Sequence, residues 1–324
     1  MMYALMTYKA YPAYNVGDYI QSLAAARFLP RIDSYICREK LSLYRGGPVK
    51  TILNGWFMHQ PQNWPPAKQI TPKIISFHIN SKSKQSLLSG EGREWFREHE
   101  PIGCRDLFTL QAMQQAGVDA YLSGCLTSTL KNKWNYRTND VYFVDVLFRI
   151  PDYGGIFNSP RSILRSVLDK SILRGSERRS MMEKLFDKEI IEQAINLNHY
   201  HPASHTERER FDMAECFLEK YATAKLVVTS RLHCAIPCLA FGTPVVFVDG
   251  GFEKEEDWCR FNGVTNLFNL VSIRKNGCIE SNFNWSGERI GAGINLQNPS
   301  TFRSFVPGLE KACADLVKHD IAIT

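Results

Sequence analysis

The sequence predicts an α/β protein built from two parallel-sheet halves, on three observations. Leu226–Thr229 and Val245–Val248 are short β-branched runs around an apolar segment that Gly242 and Pro244 bring to an end, which reads as buried strand, helix, buried strand. Pro101–Cys104, Leu107–Ala116 and Asp119–Leu122, with Gly117 closing the helix, repeat that pattern in the first half. In both units an arginine follows the first strand directly, Arg105 in one and Arg231 in the other. Open α/β sheets bind ligands outside the carboxyl ends of their strands, so these two arginines mark the crevices to inspect.

The remaining elements follow in chain order. Tyr3–Thr7 reads as a strand, and the turn Asn15–Asp18 precedes a helix over Tyr19–Phe28, with Asp18 expected as N-cap and Gln21 as its capping-box partner. Strands at Thr51–Asn54 and Lys73–His78 and a helix over Gly92–His99 lead to the Arg105 unit. The polar run Lys131–Asp140 is the expected boundary between domains 1–136 and 137–324. Beyond it come a strand over Val141–Val146, a basic segment, a helix near Met181–Lys188 and a strand over Ile190–Asn196. Thr206 and Glu209 form a capping box that starts a helix over Glu207–Tyr221, and Pro307–Lys318 reads as a terminal helix. No internal sequence repeat is evident.

Composition narrows the function classes. With 324 residues and 44% hydrophobic content the chain fits a two-domain soluble enzyme, and no basic leader with a long apolar core opens it, so a cytoplasmic protein is expected. Nine cysteines without a CxxC pair indicate neither a disulfide framework nor a zinc site. The net charge of +6 favours anionic small molecules, and no nucleic-acid motif accompanies it. Eight basic and four acidic residues fall between Arg161 and Lys188, where Ile163, Leu164, Val167, Leu168, Ile172 and Leu173 recur at near-helical spacing. Such a segment is either a solvated helix face or a surface for a membrane or a lipid-linked polyanion.

Ser230, Arg231 and His233 sit at the first turn after a strand, where a helix N-terminus already attracts anions. Two readings stand: an anion site, or Arg231 paired with a buried carboxylate and His233 satisfied in the core. Ser123–Leu130, with Ser123 and Thr127, is either a substrate-contacting loop or a tight turn. His199, His201 and His205 fit no metal-ligand spacing, so no metal is expected; His199 is a candidate phosphate contact, or else a solvated loop residue.

NVGDYIQSLAAARFL, NGWFM, CRDLFTLQAMQQAGVDAYLSGCLTSTL and VVTSRLHCAIPCLAFGTPVVFV occur here in the order that resembles the polysaccharide pyruvyl transferase family. The resemblance implies two Rossmann-like lobes in a GT-B-like arrangement with an interlobe cleft. It implies transfer of pyruvate from phosphoenolpyruvate onto two hydroxyls of a sugar, free or lipid-linked, giving a cyclic ketal and phosphate, with no cofactor beyond the donor. The donor's phosphate and carboxylate call for bidentate cations, which Arg105 and Arg231 would supply, with the Leu232 N–H and Ser230 beside them. His233 would be the general acid, because its reference pKa lies near neutrality, and Asp18 the base. Asn15, Gly17, Ser123, Thr127 and His199 would face the acceptor or another part of the substrate. The competing readings are a glycosyltransferase using a nucleotide-sugar, for which Asp249–Asp257 (DGGFEKEED) could serve phosphate and ribose, and a non-catalytic member of a polysaccharide assembly pathway.

Overall fold

The computed structural model describes residues 1–9, 12–153, 159–168, 171–252, 254–274, 276–283 and 289–321. Its strands are β1 Met2–Thr7, β2 Ala13–Asn15, β3 Ser34–Cys37, β4 Val49–Phe57, β5 Ile70–Ile79, β6 Ile102–Cys104 and β7 Ala120–Leu122, then β8 Val141–Val144, β9 Ile195–Leu197, β10 Tyr200–Pro202, β11 Leu226–Thr229, β12 Val245–Asp249, β13 Asn269–Ile273 and β14 Ile279–Ser281. The helices are α1 Val16–Ala26, α2 Lys84–Leu87, α3 Gly90–Glu98, α4 Leu107–Gln115, α5 Pro160–Leu168, α6 Glu177–Leu185, α7 Lys188–Gln193, α8 Glu207–Thr223, α9 Leu232–Phe241, α10 Glu255–Trp258 and α11 Val306–Ile321.

Two six-stranded sheets carry the fold, in the orders β3-β1-β4-β5-β6-β7 and β14-β13-β12-β11-β8-β9. Every pairing in the first is parallel, and in the second only β13–β14 is antiparallel. These are Rossmann-like sheets with one wiring. In each, the first strand is flanked by the second on one side and the third on the other, so the connections reverse direction beside β1 in one and beside β8 in the other. A third ladder, β2 with β10, is antiparallel and joins the two halves. The repeat that is absent from the sequence is therefore present in the topology, which depends on hydrophobic pattern and connection handedness and not on residue identity.

Helix α1 packs on β1 and β4 and also on α8 and α9 of the second half. Its buried Val16, Tyr19, Ile20, Ala24 and Ala25 belong to one apolar cluster with Phe217, Tyr221, Leu232 and Ile236. A second cluster, with Phe143, Val228, Val246, Phe186 and Leu185, fills the far face of the second sheet. The terminal helix α11 returns to pack on β5 and the turn Leu126–Thr129.

Several expectations need correction. Asp18 is not the N-cap of α1: Asn15 is, with Oδ1 accepting from Gly17 N at 2.9 Å, and α1 begins three residues earlier than its apolar run suggested. Ile190–Asn196 is not a strand but the end of α7 followed by the short β9, since Ala194 closes a helical turn through Ile190 O. Strands β3, β10, β13 and β14 were not anticipated, because three to five residues carry too little pattern. Of the basic segment 161–188, residues 169 and 170 and the side chains of Arg161, Arg165 and Ser171 lie outside the described residues, as does residue 253 of DGGFEKEED. No helix among the described residues is long and apolar enough to cross a membrane.

Strand β4 is broken by a register shift between Leu53 and Gly55, where Gly55 adopts φ +90°. A Cβ at Gly55 would collide with Oε1 of the buried Gln21. Gly55→Ala is therefore expected to destabilise the fold by about 1–3 kcal/mol, from left-handed strain and displacement of Gln21. Urea unfolding followed by circular dichroism checks it, a lowered midpoint with unchanged slope being the expected outcome.

Candidate active site

A cavity of about 490 Å3 opens where the carboxyl ends of both sheets face each other. Lys9 follows β1, Trp56 and Met58 end β4, Asn80 follows β5, Arg105 follows β6, and Ser230 and Arg231 follow β11, and all of them line it. Both direction reversals thus deliver their strand ends to one space, as the general rule for open α/β sheets requires. Among the described residues its lining carries seven cationic side chains (Lys9, Lys82, Arg38, Arg105, Arg149, Arg231, Arg260) against three carboxylates (Asp18, Glu256, Asp257), with Glu39, Asp106 and Asp145 next to Arg38, Arg105 and Arg231 outside the lining. Such a surplus inside low-dielectric walls selects anions.

Arg231 caps α9 in an extended conformation (φ −113°, ψ 123°). Its Nε donates to Asp145 Oδ2 at 2.7 Å, and its guanidinium lies 3.7 Å over the Phe148 ring and 4.9 Å from that of Tyr200. Asp145, held at φ +48° just past β8, also accepts from His199 N at 3.0 Å. Arg231 is thus paired with a buried carboxylate, as one of the two readings had it, and it also lines the cavity.

His233 owes its position to Pro237. Proline lacks the N–H that would bond the His233 carbonyl, and its ring crowds that carbonyl, so the helix is kinked there and His233 has non-helical φ −83°, ψ 16°. His233 Nε2 lies 3.4 Å from Arg105 Nη1. A guanidinium can only donate, so this nitrogen accepts and the ring's proton sits on Nδ1. Burial first, and then the charge of Arg105, push the imidazole well below its ordinary pKa. The sequence argument rested on the reference value of a histidine; in this site burial and Arg105 favour the neutral imidazole, which accepts from Arg105.

Arg105 is itself buried; Nε is 3.6 Å from Asp106 Oδ2 and has no hydrogen-bond partner among the described residues. Arg260 Nε is likewise without one, and burial beside Arg231, Arg149 and Arg105 lowers its pKa to about 10, despite Asp257 at 3.5 Å. Two buried guanidiniums that line one cavity, each with an Nε lacking a hydrogen-bond acceptor among the described residues, leave hydrogen-bonding capacity that an anion could take up. Asp18, released from capping, lines the cavity 3.6 Å from Arg38, and burial raises its pKa in spite of that arginine.

The other anticipated residues divide. Asn15, His199 and Leu232 line the cavity. His199 is not a solvated loop residue: it is buried, its Nε2 is 2.7 Å from Tyr221 Oη, its carbonyl accepts from Val16 N, and burial depresses its pKa. Ser230 lines the cavity, but its hydroxyl accepts from Leu147 N and donates to Val248 O, tying three strands together. Gly17 lets α1 approach the second half; a Cβ there would lie 3.1 Å from His199 Nδ1 and 3.2 Å from His233 Cβ. Ser123 and Thr127 do not line the cavity. The Ser123 hydroxyl bonds Ser76 N and Cys104 O, and Thr127 Oγ1 lies 3.1 Å from Cys125 Sγ. No group of residues able to hold a metal occurs among the described residues. Arg38, Trp56, His59, Arg149 and Arg260 were missed as site residues, because a lone arginine or aromatic in an irregular stretch gives no periodic signal.

Fold and site together define an α/β protein whose two Rossmann-like sheets share one arginine-rich, anion-selecting cavity. The model of the polysaccharide pyruvyl transferase family matches residues 15–251, and the chain belongs to that family. No curated protein matches it. A solved structure, that of a functionally uncharacterised protein from Klebsiella pneumoniae subsp. pneumoniae NTUH-K2044, is 14% identical with a TM-score of 0.40, over 84% of this chain and 93% of that one.

The depressed histidines give a sign to the pH dependence. Since His233, His199 and His78 bind protons more weakly folded than unfolded, the unfolded state takes up more protons as pH falls below about 6.5, and stability drops there. Thermal unfolding is expected to show Tm falling between pH 6.5 and 5. In Arg105→Met, imidazole titration by long-range nitrogen–proton NMR is expected to move His233 back toward its ordinary value.

Proposed function

We propose that this protein transfers pyruvate from phosphoenolpyruvate to a sugar of a surface or capsular polysaccharide or its lipid-linked precursor, forming a cyclic ketal. The observation that carries this reading is the meeting of Arg105 from one sheet with His233, two residues from Arg231, of the other, 3.4 Å apart in one cavity. In a GT-B-like arrangement with an interlobe cleft, as the family resemblance implies, Arg105, Arg231 and Arg260 hold the donor's phosphate and carboxylate, and the Leu232 N–H at the start of α9 adds a donor. Arriving anions reverse the balance at His233: negative charge beside the imidazole restores its affinity for a proton.

The protonated His233 then gives that proton to the donor's methylene carbon, which becomes the methyl group. A first sugar hydroxyl adds to the adjacent carbon while Asp18, whose raised pKa suits a base, takes its proton. The carbon–oxygen bond to phosphate breaks, the second hydroxyl closes the ketal, and of the two hydroxyl protons one replaces that lost by His233 and the other leaves with phosphate. No cofactor enters.

The lipid-linked form of the acceptor has its own support. Leu164, Leu168 and Leu173 are 62%, 77% and 80% exposed in and just after α5, a poor placement for apolar side chains in water alone. The basic residues nearby are less available: Arg174 and Arg179 pair with Glu177 and Glu183, and Arg178 bonds Asp152 and the Val146 carbonyl. Surface attachment is therefore read from the leucines more than from the charge.

His233→Ala is expected to lower kcat by about 10²–10⁴-fold with cooperative unfolding retained. Arg231→Ala is expected to cost about 3–5 kcal/mol of stability, because Asp145 loses its buried partner; Arg231→Lys keeps the charge and should mainly raise KM for phosphoenolpyruvate. Phosphate release from phosphoenolpyruvate that requires a sugar acceptor is the decisive assay. Release of UDP or GDP from a nucleotide-sugar would instead favour a glycosyltransferase, and full polysaccharide production with His233→Ala a non-catalytic role.

A further inference from the structure

Both sheets contribute cations to the cavity, and its aromatic lining differs from one side to the other. Arg149, Arg231, Arg260 and His233 lie on the side of the second sheet, whereas Asp18, Arg38, Trp56 and His59 gather on the side of the first. The latter four are linked by short contacts: Arg38 Nη1 to Asp18 Oδ2 at 3.6 Å, the Arg38 guanidinium 4.9 Å from the Trp56 ring, and Trp56 to His59 with ring centroids 4.4 Å apart. The charge of Arg38 is engaged by Glu39, whose Oε1 accepts from Arg38 Nε at 2.8 Å and whose Oε2 accepts from the backbone of His59 and Gln60. Asp18 and the Trp56 indole thus share one corner around Arg38, while the arginines opposite have Asp145 and Asp257 as partners.

Trp56 is also aimed. The register shift at Gly55 interrupts the alternation of β4 just before it, a device that re-directs side chains beside active sites. The indole is only partly buried, lines the cavity, and is held by Arg38 and His59. A partly exposed indole in the same cavity as a carboxylate with a raised pKa, with Arg38 touching both, suits a ligand with one apolar face and hydroxyls along its edge. A pyranose has that construction: axial C–H bonds make the face, and hydroxyls ring it.

We propose that Trp56, steadied by His59 and Arg38, is the stacking platform for the acceptor pyranose and directs one of its hydroxyls to Asp18. This rests on the pyruvyl transfer reading for the identity of the acceptor, but the platform itself is tested without turnover.

Saturation-transfer NMR with methyl β-D-galactopyranoside, methyl β-D-glucopyranoside and methyl α-D-mannopyranoside reads contact with the ring protons of each sugar, and calorimetry with phosphoenolpyruvate reads the donor side. The wild-type protein is expected to saturate the C–H face of at least one pyranoside. Trp56→Ala should weaken that binding at least tenfold while changing phosphoenolpyruvate affinity less than twofold, and Trp56→Phe should fall between the two with an unchanged Tm. Should Trp56→Ala fail to fold, Trp56→Phe alone decides through its ratio of sugar to donor affinity. The proposal is overturned if no pyranoside is saturated by the wild type, if the Trp56 variants bind sugar as well as the wild type, or if they lose sugar and donor alike. Sugar contact at Trp56 without phosphoenolpyruvate binding would sink the pyruvyl transfer reading and leave the platform standing.

Discussion

Burial of helix α1 between its own sheet and helices α8 and α9 is the constraint on which the cavity depends. Tyr19 and Ile20 are fully buried in a cluster that runs through both halves, and each side chain of that size contributes about 1.5–3 kcal/mol on burial. That contact holds Gly17, in the first turn of α1, against His199 and His233, and the β2–β10 ladder ties the same corner. Without it Arg105 and Arg231 would be two separate strand-end arginines, each paired with a carboxylate and with nothing to share.

The electrostatics follow from this approach. Arginines from both sheets enter one cavity, whose lining among the described residues carries fewer carboxylates than cations. Asp145 and Asp106 lie beside Arg231 and Arg105, so each arginine that lines the cavity also has a buried carboxylate next to it. Desolvation first, and then the crowding of positive charge, favour the neutral form of His233. In the proposed transfer, the charge of the donor would be what returns a proton to it.

Local chemistry was legible where a residue's role is set within a few positions of itself. The β11–α9–β12 unit was readable from β-branched runs, from Gly242, which takes φ +71° at the helix end, and from Pro244 beyond it. The Thr206–Glu209 capping box was readable for the same reason. Asp18 misled because aspartate three residues before glutamine resembles a cap, yet Asn15 earlier in the same turn competes for the role and takes it. Ser123 and Thr127 could be read either as substrate contacts or as a tight turn, because a hydroxyl suits both, and only packing set them against the Cys104 carbonyl and the Cys125 sulfur.

The sequence by itself determined the α/β class, the two β-α-β units, the arginine after each leading strand and the family, since all of these depend on local periodicity and on motif order. Tertiary structure alone decided that the two arginines share a cavity, that His233 is neutral in it, and that Arg260, Arg38 and Trp56 join them. The physical reason is distance: charge, desolvation and ring contacts act over a few ångströms between residues up to two hundred positions apart, and no local pattern records which of those residues will meet.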